Sequence, residues 1–273
     1  MLAEKLRHAR NVISYAVAGL RPALVGCSLV LELLNPSSLL AQEAGSRAPR
    51  PFFDAVVSIS PGISRELDLM FDHARLARGQ ITDFSIRLQY PVSSWLQFSV
   101  EVPAIFQDPD AGSWSLGAGD IVLQSQAMVW TPSSRSAELD VGLELTVPSG
   151  GSNVLAGTTA VRPFGAWGVK VGPFDVIGNL SYQWTVAGPA AGVDLFQATL
   201  AIGYPTRWVT PFAELTLVKP ARGADDDRTQ IAIAPGLEVF LPWRASLSVG
   251  VQLPLTSARS SDQRVLAFFK VPF

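Results

Sequence analysis

Cysteine and histidine are nearly missing from this chain of 273 residues, which has one cysteine, Cys27, and two histidines. A single cysteine forms no disulfide within the chain, and a thiolate metal site or a thiol redox pair needs more than one. Long apolar runs are missing as well. After about residue 45, no stretch approaches the roughly 20 consecutive apolar residues of a membrane-spanning helix. The sequence therefore predicts no cofactor, no metal site and no helical membrane domain.

Charge is also scarce, with 16% charged residues and a formal net charge of −2. No basic patch supplies the electrostatic footprint of nucleic-acid binding, so we expect no nucleic-acid partner. Scattered glycines lack a phosphate-cradling spacing and indicate loops and bent strands. The acidic triplet Asp225, Asp226 and Asp227 offers oxygen ligands for calcium, but we interpret it as a solvated loop.

Short segments of alternating apolar and polar residues are abundant in the sequence. The clearest covers residues 139–147, with Leu143 on one face and the charged Glu144 on the other. A charge at every second position is costly in a core buried on both sides, but it can face water. The pattern recurs about twelve times, which predicts an all-β fold: a transmembrane up-and-down antiparallel β-barrel of about 12 strands.

The lengths of the connections predict the orientation of this barrel. Short connections at 91–94, 131–136, 172–173, 205–207 and 242–244 alternate with longer ones at 107–118, 149–159, 220–228 and 257–263. Outer-membrane barrels have short periplasmic turns and longer external loops, so both ends of the mature chain are predicted to be periplasmic. Aromatic residues beside the short turns predict a belt at the membrane interface. They are Tyr90, Trp95, Trp130, Trp167, Tyr204, Trp208 and Trp243.

The first part of the chain differs from the rest because it is basic and then mostly aliphatic. Residues 1–41 are predicted to be a signal peptide that is cleaved near Ala41. Residues 42–63 would follow as a periplasmic N-terminal segment, and residues 64–273 would form the outer-membrane β-barrel. Leu24-Val25-Gly26-Cys27 also matches a lipobox, so lipidation of Cys27 is an alternative to cleavage near Ala41.

The C-terminus alternates without a break and ends on an aromatic residue, Phe273. It resembles the terminal strand of bacterial outer-membrane barrels, in which the last Phe belongs to the signal read by the barrel-assembly machinery. The resemblance implies that Phe269, Val271 and Phe273 form this insertion signal. It also implies the assembly machinery and outer-membrane lipid as partners, and the cell outer membrane of a Gram-negative bacterium as the location.

Four short motifs resemble the outer-membrane transporter-like family known from operons for meta-pathway phenol degradation. In that family a Gly-Asp motif opens one strand, as Gly119-Asp120 does here, and a Pro-Thr-Gly motif closes the next, where this chain has Pro148-Ser149-Gly150. Residues 235–239 and 251–255 carry the other two motifs. The resemblance implies a porin-like channel or transporter for small solutes, hydrophobic or aromatic ones among them.

Charged residues on the polar faces are the candidates for lining the lumen. Acidic residues outnumber basic ones there, which predicts either a cation-selective aqueous pore or an interior filled by charge pairs. The sequence leaves both possibilities open, and it leaves open whether Phe52 and Phe53 plug the periplasmic mouth. The lumen-lining candidates are Arg87, Glu101, Asp120, Asp140, Glu144, Arg162, Lys170, Glu214 and Glu238.

Two other classes of function compete with transport. A structural or surface-binding barrel fits the same strand pattern, although the loops are of modest length. A lipid hydrolase needs a serine nucleophile with a histidine base beside it. His73 is predicted on the outward face, but no motif fixes a serine next to it. We therefore expect no catalytic residues and no enzymatic activity.

Overall fold

The computed structural model describes residues 52–76, 79–108, 114–151, 154, 157–222, 229–258 and 261–273. The predicted signal peptide, Cys27 and the triplet Asp225 to Asp227 lie outside the described residues. In the part that is described, no helix has the length and apolar character to span a membrane. The strands are β1 (Glu66–Arg75), β2 (Gln80–Pro91), β3 (Leu96–Asp108), β4 (Ser115–Ala118), β5 (Ile121–Trp130), β6 (Ala137–Val147), β7 (Thr159–Val171), β8 (Phe174–Ala187), β9 (Asp194–Gly203), β10 (Val209–Arg222), β11 (Gln230–Phe240), β12 (Ser246–Pro254) and β13 (Gln263–Pro272).

The strands form one closed antiparallel barrel. Strands that follow each other in the chain pair with each other, except β4 and β5, and β1 also pairs with β13 along its whole length, which closes the ring. β4 pairs with residues 104–107 of β3, and β5 pairs with residues 96–101 of the same strand. β4 and β5 therefore share one position in a wall of 12 strands, and the predicted fold class is confirmed.

The break between β4 and β5 lies at the Gly-Asp motif. The Gly119 N–H donates a hydrogen bond of 2.9 Å to the Pro103 carbonyl, which approaches closely from β3. A Cβ on Gly119 would lie 2.7 Å from Pro103 Cγ, so a larger residue here would force the two strands apart. The structure differs from the sequence prediction at residues 107–118, because β3 continues to Asp108 and β4 occupies Ser115–Ala118.

The outer surface of the barrel is apolar. In β6, Val141, Leu143 and Leu145 are exposed, whereas Asp140, which precedes them, is fully buried inside the barrel. Successive side chains of a strand point to opposite faces, so a polar lumen and an apolar outside require this alternation. The predicted faces of the strand are confirmed.

The two ends of the barrel differ. One, the turn end, carries the connections 92–95, 131–136, 172–173, 204–208 and 241–245, together with the start of β1 and the end of β13. The opposite end, the loop end, carries longer connections, although those at 76–79 and 188–193 are short. The 3-10 turn Pro242–Arg244 extends from the turn end, and its Trp243 is 90% exposed. Exposed Trp95, Trp130 and Trp208 accompany it, as expected for an interfacial belt.

Candidate functional site

Residues 52–64, called here the lumen segment, lie inside the barrel in its turn-end half. Phe52, Phe53 and Val56 are almost completely buried. Each side chain fits against an inward-facing glycine of the wall. A Cβ on Gly168 would lie 2.8 Å from the Phe52 ring, one on Gly203 2.7 Å from the Phe53 ring, and one on Gly250 2.8 Å from Val56 Cγ2. These three glycines make the room in which the segment packs.

Acidic residues of the wall hold the backbone of the lumen segment. The Asp54 N–H donates to Glu238 Oε2 at 3.3 Å, the Val57 N–H to Glu214 Oε2 at 2.9 Å, and the Gly62 N–H to Asp140 Oδ2 at 2.7 Å. Backbone N–H groups buried away from water need such partners, and bonds to carboxylates are stronger than neutral ones. Glu214 and Glu238 stand on the adjacent strands β10 and β11, and Asp140 stands on β6, so the acids fix the segment from two sides of the barrel.

Amide side chains hold the part of the segment that leads into β1. The Ser64 N–H donates to Gln97 Oε1 at 2.8 Å. Gln126 Nε2 donates to the carbonyls of Ser60 at 3.3 Å and Gly62 at 3.4 Å, and to Asp140 Oδ2 at 2.7 Å. Gln97 and Gln126 also bond to each other, so the segment and the wall share one polar network.

An ion pair anchors the other end of the segment. Lys270 Nζ of β13 lies 2.8 Å from Asp54 Oδ1, and both side chains are largely shielded from solvent. Ser248 Oγ donates to the Asp54 carbonyl at 3.0 Å. Lys170 Nζ lies 5.3 Å from the centre of the Phe52 ring and 2.9 Å from Asp175 Oδ1. Removing one member of a buried ion pair is costly, because the other charge stays behind unpaired.

The apolar side chains of the lumen segment cover an apolar strip on the wall. The Phe53 ring stacks on Phe212, with a centroid distance of 5.5 Å and an interplanar angle of 28°. Phe53 and Phe212 belong to one apolar cluster inside the barrel. It consists of Phe52, Phe53, Ala55, Val56, Ile177, Ala201, Phe212, Ala234 and Leu266.

Ion pairs occupy the wall from β13 around to β7. Arg87 Nε lies 3.5 Å from Asp68 and 3.6 Å from Glu101. Arg162 of β7 pairs with Glu144 of β6. Arg264 of β13 reaches Asp72 of β1, with Nε 2.9 Å from Oδ1. These cross-strand pairs place an acid beside each of the three arginines.

A cavity of about 1070 Å³ surrounds the lumen segment. At the turn end it is lined by Ser93, Thr131 and Thr206, which stand on three of the short connections. Deeper in the barrel it is lined by the charged residues Arg87 and Arg162. The cavity therefore runs from the turn end, along the segment, into the loop-end half of the barrel, a space large enough for a small solute.

The nine predicted lumen residues fall into three groups. Arg87, Glu101, Glu144 and Arg162 lie in the ion pairs of the wall. Asp140, Glu214, Glu238 and Lys170 contact the lumen segment. Asp120 stands apart near the loop end, where its carboxylate accepts N–H bonds from Gly150 at 3.0 Å, Gly157 at 2.9 Å and Thr158 at 2.7 Å.

The two family-like motifs meet in space at Asp120. Its bond from Gly150 joins the Gly-Asp motif to Pro148-Ser149-Gly150, and Ser149 Oγ accepts a second bond, of 2.8 Å, from the Ile121 N–H. The Gly151 N–H adds a bond of 2.9 Å to the Ala118 carbonyl. The motifs thus tie the connection after β6 to the break between β4 and β5.

The predicted insertion signal lies on the closing strand, where Phe269 pairs with Leu69 and Val271 with Leu67. The Arg65 guanidinium lies 5.0 Å from the ring centre of Phe273 and equally far from that of Tyr90. The Phe273 N–H donates to the Arg65 carbonyl at 3.2 Å. Phe273 is therefore joined to Arg65, the residue that directly follows the lumen segment.

The lumen-lining candidates did not include four other polar residues that hold the lumen segment. Gln97, Gln126, Ser248 and Lys270 have the inward parity of their strands, but nothing in the sequence tells them apart from other inward polar residues. Inward glycines at 168, 203 and 250 give the one usable signal, because glycine in a strand marks close approach of another group. In the part of the chain that the structure describes, no cluster of three potential metal ligands is present.

A closed barrel of 12 strands with an apolar outside and a polar interior defines the class of this protein: it is a β-barrel of the outer membrane. It is similar to an outer-membrane channel from Pseudomonas putida F1, with a TM-score of 0.62 and 14% identity over 81% of this chain and 100% of that one. It is also similar to the NanC porin (TM-score 0.54, 10% identity, 76% of this chain and 98% of that one). A third similar structure is the KdgM porin, with a TM-score of 0.52 and 14% identity over 76% of this chain and 99% of that one. No protein-family model and no curated protein matches the sequence.

Proposed function

We propose that the chain is an outer-membrane channel for small solutes whose lumen is closed by its own N-terminal segment. The observation that carries the proposal is the cavity of about 1070 Å³ that runs from the turn end, along residues 52–64, into the loop-end half of the barrel. A barrel that served only as a surface anchor would need no such space. The similar solved structures include channels and porins, which supports the same function.

Acidic residues of the lumen favour cations over anions. Asp83 and Glu101 line the cavity in addition to the acids that hold the lumen segment. Carboxylates in a confined aqueous path raise the local concentration of cations. The arginines do not reverse this bias, because Arg87, Arg162 and Arg264 are each paired with an acid.

The apolar strip beneath the lumen segment favours solutes with a hydrophobic or aromatic part. Phe212, Ala234 and Leu266 would face the lumen if the segment moved away. The resemblance to the family known from phenol-degradation operons supports the same class of solute. Aromatic compounds are therefore the first candidates for transport.

Reversal potentials in a salt gradient test the proposed pore. The variant Asp83→Asn with Glu101→Gln should shift the potential toward lower cation selectivity while the folded yield stays the same. Asp262→Asn is the matched control, because it removes a charge from the connection before β13, which does not line the cavity. Swelling of proteoliposomes in phenol and in a large sugar then tests the solute class. Equal selectivity in all three proteins, or no flux of any solute, would contradict the proposal.

The proposal assigns no enzymatic activity to the chain. His73, the candidate base of a hydrolase, lies beside Phe71, and its Nδ1 is 2.8 Å from Thr82 Oγ1 on the neighbouring strand. This contact with a threonine supports a structural role near the loop end. Incubation with labelled lipopolysaccharide and phospholipid tests the point, and release of fatty acid that His73→Ala abolishes would contradict it.

A further inference from the structure

The place that the Phe53 side chain occupies has the shape of an aromatic ring. One side is open because Gly203 has no side chain: a Cβ there would lie 2.7 Å from Phe53 Cε1 and 3.0 Å from Thr210 Cγ2. The other side is the Phe212 ring, stacked at 5.5 Å. A flat ring fits between a glycine and an aromatic face, whereas a branched aliphatic group would leave part of the space empty.

Two carboxylates stand next to this ring-shaped place. Glu238 accepts the N–H of Asp54, the residue that directly follows the Phe53 ring, and Glu214 accepts the N–H of Val57. Both acids belong to the barrel wall and are fully buried beneath the segment. The wall thus binds an aromatic ring and, a few ångströms away, a nitrogen that donates hydrogen bonds.

Departure of the lumen segment would change the charge of the wall. The segment takes Asp54 with it, the residue that pairs with Lys270 at 2.8 Å. Glu214 and Glu238 then lose their N–H donors, and the wall is left with two carboxylates and one ammonium. Carboxylates accept hydrogen bonds and favour cations, so the vacated wall would select a ligand that carries a donor with positive charge.

Building on the proposed channel function, we propose that the wall around Gly203, Phe212 and Glu238 is a binding site for small aromatic amines. The lumen segment occupies this site as an internal competitor, with the Phe53 ring and the Asp54 N–H in place of the ring and the ammonium group of the ligand. An aromatic amine that reaches the site displaces the segment and thereby opens the lumen. An aromatic carboxylate of the same size binds poorly, because its anion would face Glu214 and Glu238.

Titration calorimetry on the purified full-length chain tests this site with phenethylamine and 3-phenylpropionate, which have similar size and opposite charge. Phenethylamine should bind about tenfold or more tightly than 3-phenylpropionate. Glu238→Gln should reduce the affinity for phenethylamine by a similar factor. Asp194→Asn is the matched control, since Asp194 begins β9 at the loop end, contacts Tyr182 and does not line the cavity, and it should bind phenethylamine as the unaltered chain does.

Phe53→Ala tests whether the Phe53 ring competes with the ligand for the same place. If it does, removal of the ring should tighten phenethylamine binding severalfold. Unchanged affinity would show that the ligand binds elsewhere, and weaker affinity would show that Phe53 is part of the site instead of its competitor. Either result overturns the inference, as does equal binding of the amine and the carboxylate. A shift in electrophoretic mobility on heating verifies that each variant is folded.

Titration calorimetry measures binding whether or not the barrel conducts ions. The binding site and the channel function can therefore be contradicted separately. A chain that binds phenethylamine as expected but passes no ions would contradict the channel and leave the binding site standing. A conducting chain that does not discriminate between the two ligands would contradict the site alone.

Discussion

At the scale of single residues, parity along a strand decides what each side chain contacts. Leu143 and Glu144 are neighbours in β6, yet Leu143 is 47% exposed on the outer surface, and Glu144 pairs with Arg162 inside. The same rule assigns an inward position to nearly every charged residue of the wall. The two neighbours therefore offer a direct test of which side faces lipid.

Leu143→Arg should lower the free energy of unfolding by about 2–4 kcal/mol, because it places a charge in the hydrocarbon near the middle of the bilayer. Glu144→Gln should change it by less than about 1 kcal/mol, since the amide oxygen still accepts a bond from Arg162 in a hydrated lumen. Reversible urea unfolding in lipid vesicles measures both. Similar losses for both variants would show that the strand is buried on both faces.

A second prediction concerns Lys270, whose ammonium lies between the wall and Asp54. Lys270→Met leaves Asp54 without its cation and close to Glu238, so the repulsion between two acids should release the lumen segment. Protease cleavage within residues 52–64 should then become at least severalfold faster. Lys219→Met is the control, because Lys219 is exposed on β10, and it should leave the cleavage rate unchanged. Equal rates in both variants would mean that the ion pair does not hold the segment.

The position of a residue along its strand predicts whether its side chain faces the lumen or the lipid. It does not predict which group that side chain contacts. Asp120 has inward parity, and the sequence grouped it with the lumen acids, but its carboxylate binds the backbone of a connection closed by residues 150, 157 and 158. Such contacts depend on how a loop folds back, which alternation along one strand does not encode. Lys270 likewise has no local feature that predicts its pairing with Asp54.

At the scale of elements, β13 holds the barrel closed. It pairs with β1 from Glu66 to Arg75, and the residue that follows it, Phe273, contacts Arg65, which directly follows the lumen segment. Closure, the C-terminal aromatic residue and the segment are therefore joined in one place. Strand alternation predicted β13 from Val265 onward, whereas the contact with Arg65 became visible only in the folded barrel.

Deleting Phe273, or replacing it with Asp, should block insertion, because the terminal strand loses the aromatic residue of its predicted insertion signal and its contact with Arg65. The amount of heat-modifiable barrel in outer-membrane fractions measures this. Phe273→Tyr keeps the ring and serves as the control, with a yield close to that of the unaltered chain. Normal amounts of folded barrel after the deletion would contradict the assignment of the signal.

The lumen segment itself was the element least accessible to sequence reasoning. Residues 52–64 carry neither the alternation of a strand nor the apolar period of a helix, and their bonds reach partners more than 150 positions away, such as Glu214 and Glu238. Apolar and polar residues alternate when the two faces of a strand meet different surroundings. The lumen segment is enclosed on all sides, so its sequence does not alternate. The β4 strand was missed for a related reason, since four residues are too few to show a period.

At the scale of the whole molecule, the sequence was enough to predict a barrel of about 12 strands, its outer surface and its aromatic belt. These features follow from one physical requirement, that the outside faces lipid and the inside faces water. The state of the lumen follows from no such general requirement. It depends on whether one particular segment fits one particular interior, which the glycines at 168, 203 and 250 allow.

The central claim is that residues 52–64 close the channel, and a reversible cross-link tests it most directly. Val56 Cγ2 lies 2.8 Å from the place of a Cβ on residue 250, so Val56→Cys with Gly250→Cys, combined with Cys27→Ser, should form one disulfide. We predict that the oxidised variant stays closed in planar bilayers even under an applied voltage, and that reduction restores openings like those of the Cys27→Ser chain. Equal conductance before and after reduction would contradict the claim.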